Sequence, residues 1–142
     1  ACQWNGDART ERDALNARDF ADMSRQGYRM GMQGLTVWGE PSDYNAATEI
    51  SYLAFARFGW EPELTWDAFV ARDVAPLFGG ADQAKRFIAI AEEIDAKAAL
   101  PPERLDELLD ETVAALSTAT PEPRRRWLSL ADRIGRRRHM GR

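Results

Sequence analysis

The 142-residue chain has a single cysteine, Cys2, and a single histidine, His139. One cysteine excludes an internal disulfide and a cysteine-based zinc site, and leaves the redox compartment unspecified. One histidine gives little material for a histidine-led metal centre or a catalytic triad. No stretch approaches the roughly 20 apolar residues of a membrane-spanning helix. The first residues, Ala1 to Asp7, are polar and lack the apolar core of a signal peptide. A Gly-rich phosphate loop is also missing, since Phe78-Gly79-Gly80 is too short to serve as one, so no cofactor is expected. Lysine is nearly absent: Lys85 and Lys97 stand beside 17 arginines. With abundant alanine, that bias matches a GC-rich bacterial genome and says nothing of mechanism.

What is present is bulky and apolar. Five Trp, six Phe and three Tyr, with 44% hydrophobic residues overall, supply a core and exclude intrinsic disorder. The length suits one domain but excludes a complete (β/α)₈ barrel, which needs roughly 200 residues or more. The chain begins at Ala1, without an initiator Met, and is read as a piece of a larger protein.

The net charge of −4 conceals an asymmetry. Residues 124–142 hold eight Arg against Asp132 alone, or +7, whereas the first 123 residues hold 11 basic and 22 acidic side chains, or −11. A basic end can attract phosphate or an acidic surface. Aromatic interleaving is confined to Trp127, however, which argues against nucleic acid and for an arginine-rich helix lying on an acidic body.

The periodicity is mostly helical. Asn16-Ala17-Arg18-Asp19 has the form of a capping box, followed by Phe20, Met23 and Tyr28 near helical spacing until Gly31 and Gly34 end the run. Leu35-Thr36-Val37-Trp38 is β-branched and aromatic between glycines, a short strand signal, and Gly39 to Asp43 follow as a turn. From Asn45, the residues Ile50, Leu53, Ala54 and Phe58 form one apolar face, which Gly59 stops. Thr65 caps a helix beginning at Trp66 that Pro76 ends or kinks. Three helices then follow. The first, over 82–99, carries a stripe of Phe87, Ile90, Ala91, Ile94 and Ala98. The second, over 102–117, carries Leu105, Leu108, Leu109, Thr112 and Leu116. The third starts after Thr120-Pro121 and carries Trp127, Leu128, Ala131 and Ile134.

The fold class expected is mainly α, a helical bundle with one short strand-like segment. Its regions are 1–80, a strand–turn–helix region, and 81–142, a three-helix region with a basic end. A lone strand would leave its backbone groups unpaired, so residues 35–38 either pair outside the chain or form no strand.

Two segments resemble a known family. Gly34-Leu35-Thr36-Val37-Trp38-Gly39-Glu40-Pro41-Ser42 runs on to Glu49-Ile50-Ser51-Tyr52-Leu53-Ala54-Phe55-Ala56. Trp66-Asp67-Ala68-Phe69 precedes Asp73-Val74-Ala75-Pro76-Leu77-Phe78-Gly79-Gly80. Together they resemble the C-terminal end of bacterial barrel-type glycoside hydrolases and their uncharacterised relatives, over residues 17–118. The resemblance implies the end of a larger (β/α) barrel, with a late strand, a polar turn, a helix and extra helices outside. It implies Glu40 as a catalytic carboxylate just past a strand end, with Trp38 or Tyr44 offering a flat face to a sugar ring. The implied partners are a carbohydrate and an upstream barrel portion or a protein. A second carboxylate is not identifiable, Asp43 being too close in sequence. The 142 residues alone are then expected to be inactive.

Several other residues read as structural. Glu49 reads as a solvated helix flank, Trp60 and Trp66 as cover for the core, and Met23, Met30 and Met32 as packing. The competing reading of the whole is a self-contained helical protein–protein interaction module without catalytic activity.

Overall fold

The computed structural model describes residues 2–3, 14–38, 44–95 and 100–140. It is mainly helical and divides into two compact units, Ala1–Phe69 and Val70–Arg142.

In the first unit, β1 (Cys2–Gln3) precedes α1 (Ala17–Arg29), β2 (Val37–Trp38), α2 (Ala46–Trp60) and α3 (Trp66–Phe69). The two short strands pair in parallel, Cys2 opposite Val37 and Gln3 opposite Trp38. The strand segment expected at 35–38 is thus shorter, and its partner lies within the same chain. Parallel neighbours cannot be joined by a hairpin, and α1 forms the crossover between them.

Helix α1 packs on α2, and one serine ties their ends together. Ser51 Oγ accepts from the Asn16 backbone N–H at 2.9 Å and donates to the Ala47 carbonyl at 2.7 Å. Asn16 stands at the N-cap, but its side chain accepts no capping hydrogen bond; its amide instead donates to the Ala14 carbonyl. The capping box expected at Asn16 is therefore not formed, because the Asn16 amide turns back along the chain. Asn45 does cap α2, accepting from Ala47 and Thr48 N–H at 2.8 and 3.2 Å. Such a cap contributes about 1 kcal/mol.

The core of this unit gathers Phe20 and Ala21 from α1, Ile50, Ala54 and Phe58 from α2, and Phe69. Its rings meet edge-on or tilted, Phe20 with Phe55 at 5.6 Å and Phe58 with Phe69 at 5.2 Å between centroids.

The second unit opens with a π-helical turn, Val70–Val74, continuing into α4 (Ala75–Phe78). Pro76 neither ends nor breaks the helical run. It lacks the N–H that would reach the Arg72 carbonyl and its ring would crowd that carbonyl, and the widened turn immediately before it avoids the clash. The run ends at Gly79, in the left-handed region at φ +76, where Gly79 and Gly80 N–H both reach the Ala75 carbonyl.

Helices α5 (Ala81–Asp95), α6 (Pro102–Thr118) and α7 (Pro121–Met140) complete the unit. Phe78, Phe87 and Trp127 form a triangle of rings, with centroids 4.7, 5.9 and 5.5 Å apart. Ile90, Ala91, Ile94, Leu105, Leu108, Leu130 and Ile134 are buried around it. Ala98 lies outside the described residues. Leu128, expected inside, is exposed, and Leu130 takes the inward position on α7.

Arginines of α7 turn inward. Arg133 is 2% exposed and forms a two-pronged pair with Asp95 of α5. Arg126 is buried too, and donates to the Leu77 and Glu122 carbonyls, both at 3.1 Å. Arg138 reaches Asp106 at 3.0 Å. Between α5 and α6, Arg104 grips both oxygens of Glu93 at 2.7 and 2.8 Å and also reaches Glu107. The guanidinium holds the Glu93 carboxyl below its ordinary value of 4.5, through the hydrogen bonds first.

Two measurements check these pairs. Removing one member of a buried pair strands the other charge, so Asp95→Ala should cost about 3–5 kcal/mol in urea unfolding. Asp132→Ala, which removes the exposed partner of Arg136, should cost less than about 0.5 kcal/mol. Because the folded carboxyl of Glu93 has the lower pKa, its pair stabilises fully above the unfolded value and is lost as pH falls through the folded one. The stability gap between wild type and Glu93→Gln should therefore be open at pH 7 and narrow progressively below pH 4.5.

Candidate functional site

In a parallel β–α–β arrangement the two strand ends point the same way, so chemistry carried on the following loops gathers at one edge. Val37 and Trp38 form β2, and Glu40 follows Trp38 by two residues in sequence. Glu40 itself lies outside the described residues, as does Asp43. Trp38 has its backbone in the ladder, opposite Gln3. Tyr44, at the entrance to α2, is 47% exposed, and its hydroxyl donates to Glu49 Oε2 at 2.9 Å. That bond turns Glu49, half-buried on α2, into an anchor for the Tyr44 ring rather than a freely solvated flank. Its polar end is tied by that bond.

The two tryptophans flanking residues 61–65 part company. Trp66 is half-buried, packs on Phe69 at 5.4 Å and carries the Arg18 guanidinium over its ring at 4.2 Å. A stacked guanidinium there contributes about 0.5–1 kcal/mol. Trp60, expected to cover the core, is 88% exposed at the C-terminal end of α2. Its position on the helix explains this: Ile50, Ala54 and Phe58 define the inward face, and Trp60 falls well round from it.

A cavity of about 290 Å³ lies in the first unit, between α1, residues 32–36 and Phe55 of α2. Phe20, Met23, Gly27, Met30, Met32 and Leu35 line it. Gly27 leaves room for this wall, since a Cβ there would stand 3.3 Å from Leu35 Cδ2 and 3.4 Å from Met32 Sδ. Met30 and Met32 are largely exposed at its mouth rather than packed inside, where the sequence placed them. Sequence periodicity could not find this cavity, because a chain segment outside any helix forms one wall.

Among the described residues no cluster of three or more His, Cys, Asp or Glu side chains could hold a metal ion. No described helix is long and apolar enough to cross a membrane.

The exposure of the tryptophans sets a measurable contrast. Trp60→Phe should reduce the acrylamide-quenchable fluorescence and leave stability within about 0.5 kcal/mol, as for other surface substitutions. Trp127→Ala opens the ring triangle of the second unit and should cost about 3–5 kcal/mol in denaturant unfolding.

Compared with known proteins, the chain matches no family model, no curated protein and no solved structure.

Proposed function

We propose that this chain is the C-terminal region of a carbohydrate-active, glycoside hydrolase-like protein built on a (β/α) barrel. The observation that carries the reading is the parallel pairing of Cys2–Gln3 with Val37–Trp38 across the crossover helix α1, with α2 following β2. A β–α–β–α order with parallel neighbours is the repeating unit of such barrels, whose catalytic groups sit just past the C-terminal strand ends. Two-residue parallel strands do not form an independent sheet, since parallel sheets are covered on both faces by the rest of an α/β fold.

On this reading Glu40, two residues past β2, supplies one of the two carboxylates that flank a glycosidic bond. It acts as acid, base or nucleophile according to its distance from the other. Trp38 and Tyr44 offer the flat apolar surface on which the face of a sugar ring stacks. The second carboxylate comes from another strand end.

A specific observation favours a second reading for part of the chain. The second unit has a closed core of its own, with the Phe78–Phe87–Trp127 triangle and the Arg133–Asp95 pair. That suits a helical protein–protein interaction module, which needs no catalytic set.

Glu40→Gln in the natural protein decides between them. A carboxylate at the reacting centre is worth about 10²–10⁴ in rate. Turnover of an aryl glycoside should therefore fall by about a hundredfold or more, with the unfolding midpoint unchanged. Full turnover in that variant removes Glu40 from the mechanism, and absence of any glycosidase activity in the wild type favours the interaction module.

A further inference from the structure

One buried hydroxyl of the first unit has nothing to bond to. Among the described residues, Ser24, Ser51 and Thr112 are the buried side chains that carry a hydroxyl, and each stands inside a helix. Ser51 and Thr112 donate to the carbonyls four residues back, those of Ala47 and Leu108, both at 2.7 Å. That back-bond is the usual resort of such a group within a helix. Ser24 is 3% exposed, and its Oγ has no partner. A buried hydroxyl without a hydrogen bond is costly, so its place in the fold needs a reason. Ser24 belongs to the face of α1 that lines the cavity of about 290 Å³, about one turn from Phe20 and from Gly27.

The rest of the lining decides what such a cavity accepts. Phe20, Met23, Leu35 and Phe55 are apolar, and none of the lining residues is charged. A charged ligand would lose its water with no counter-charge in return, so the occupant is neutral. An apolar cavity of about 150 Å³ holds a benzene ring, so this one has room for a body of about two fused rings. Met30 and Met32 stand exposed at the mouth on either side of Gly31, which turns the chain at φ +76. Unbranched thioether side chains there yield to a ligand as it enters.

We propose that this cavity is a binding site for a neutral, largely apolar small molecule that carries one hydrogen-bonding group, and that this group is the missing partner of the Ser24 hydroxyl. The site is separate from the proposed catalytic one. Leu35 and Thr36 line it where the chain enters β2, whereas Glu40 follows β2 in sequence. It therefore stands or falls independently of the barrel reading.

Indole and indene make the test. They share size and shape, but indole has an N–H where indene has a methylene, and the Ser24 oxygen can accept only from the former. In the natural protein that contains these residues, indole should shift the methyl resonances of Met23, Met30 and Met32 in a saturable manner. Indoleacetate, which carries a charge, should bind at least about tenfold more weakly. Ser24→Ala removes the hydroxyl with little change in volume, so the unfolding midpoint should hold or rise. The same substitution should weaken indole by about three- to tenfold and leave indene unchanged, a split that a mere disturbance of the wall would not produce. The site is overturned by unmoved methionine resonances at the solubility limit of indole. It is overturned equally by an indole affinity that Ser24→Ala leaves intact, or by an equal loss for both probes. Indoleacetate binding as tightly as indole rejects the neutral ligand class.

Discussion

A strand that lies parallel to its neighbour cannot be reached by a tight turn; the chain must travel back along the sheet before it can run forward again. That constraint organises the first unit. The register of Cys2 with Val37 and Gln3 with Trp38 obliges the chain between them to make the return journey, and α1 lies on it. Once α1 lies between the strands in sequence, α2 has a helix to pack on, and the contacts follow from side-chain size and polarity. Phe20 meets Phe55, Arg25 covers Phe58 and reaches the Leu64 carbonyl, and Ser51 receives the Asn16 N–H at the start of α1.

The second unit solves a different problem, that of a helix with too much charge. Helix α7 carries seven of the eight arginines found after residue 123, and left in water they would repel one another. The fold disperses them instead. Arg133 is taken into the interior and neutralised by Asp95, Arg126 gives its protons to two carbonyls, and Arg136 and Arg138 meet Asp132 and Asp106. A buried pair of this kind gains little over an apolar pair of equal volume, but it punishes any arrangement that separates the two charges. Asp95 and Arg133 therefore act on the register of α5 against α7 more than on net stability. The basic end of the sequence is largely spent within its own unit, as the asymmetry between an acidic body and an arginine-rich helix suggested.

Helices were the legible part of this sequence, because their signals are local. Apolar spacing marked α5, α6 and α7, while Asn45 and Thr65 marked starts that the structure uses as caps. What was illegible depends on contacts far apart in the chain. Cys2–Gln3 carries no strand pattern in two residues, so nothing local could pair it with Val37–Trp38. Asn16 has the composition of a capping box, yet its amide bonds to Ala14 and its N–H is claimed by Ser51, 35 residues away. Pro76 reads as a break, and a π-helical turn carries the backbone past it. Glu40 and Trp38 were suggested by the resemblance to barrel-type glycoside hydrolases rather than by geometry. The described residues contribute the strand, its direction and the tied Tyr44 hydroxyl.

The least economical feature of the first unit is Trp60. A single exposed indole is ordinary on a protein surface and needs no account by itself. On that flank of α2 its neighbours are Leu53, half-buried, and the charged Glu49 and Arg57. Covering a large apolar side chain is worth about 1.5–3 kcal/mol, a gain that Ile50, Ala54 and Phe58 take on the inward face and Trp60 forgoes. Helix α2 therefore buries one face and leaves its terminal indole on a flank shared with charged side chains, the pattern of a helix at the surface of its unit.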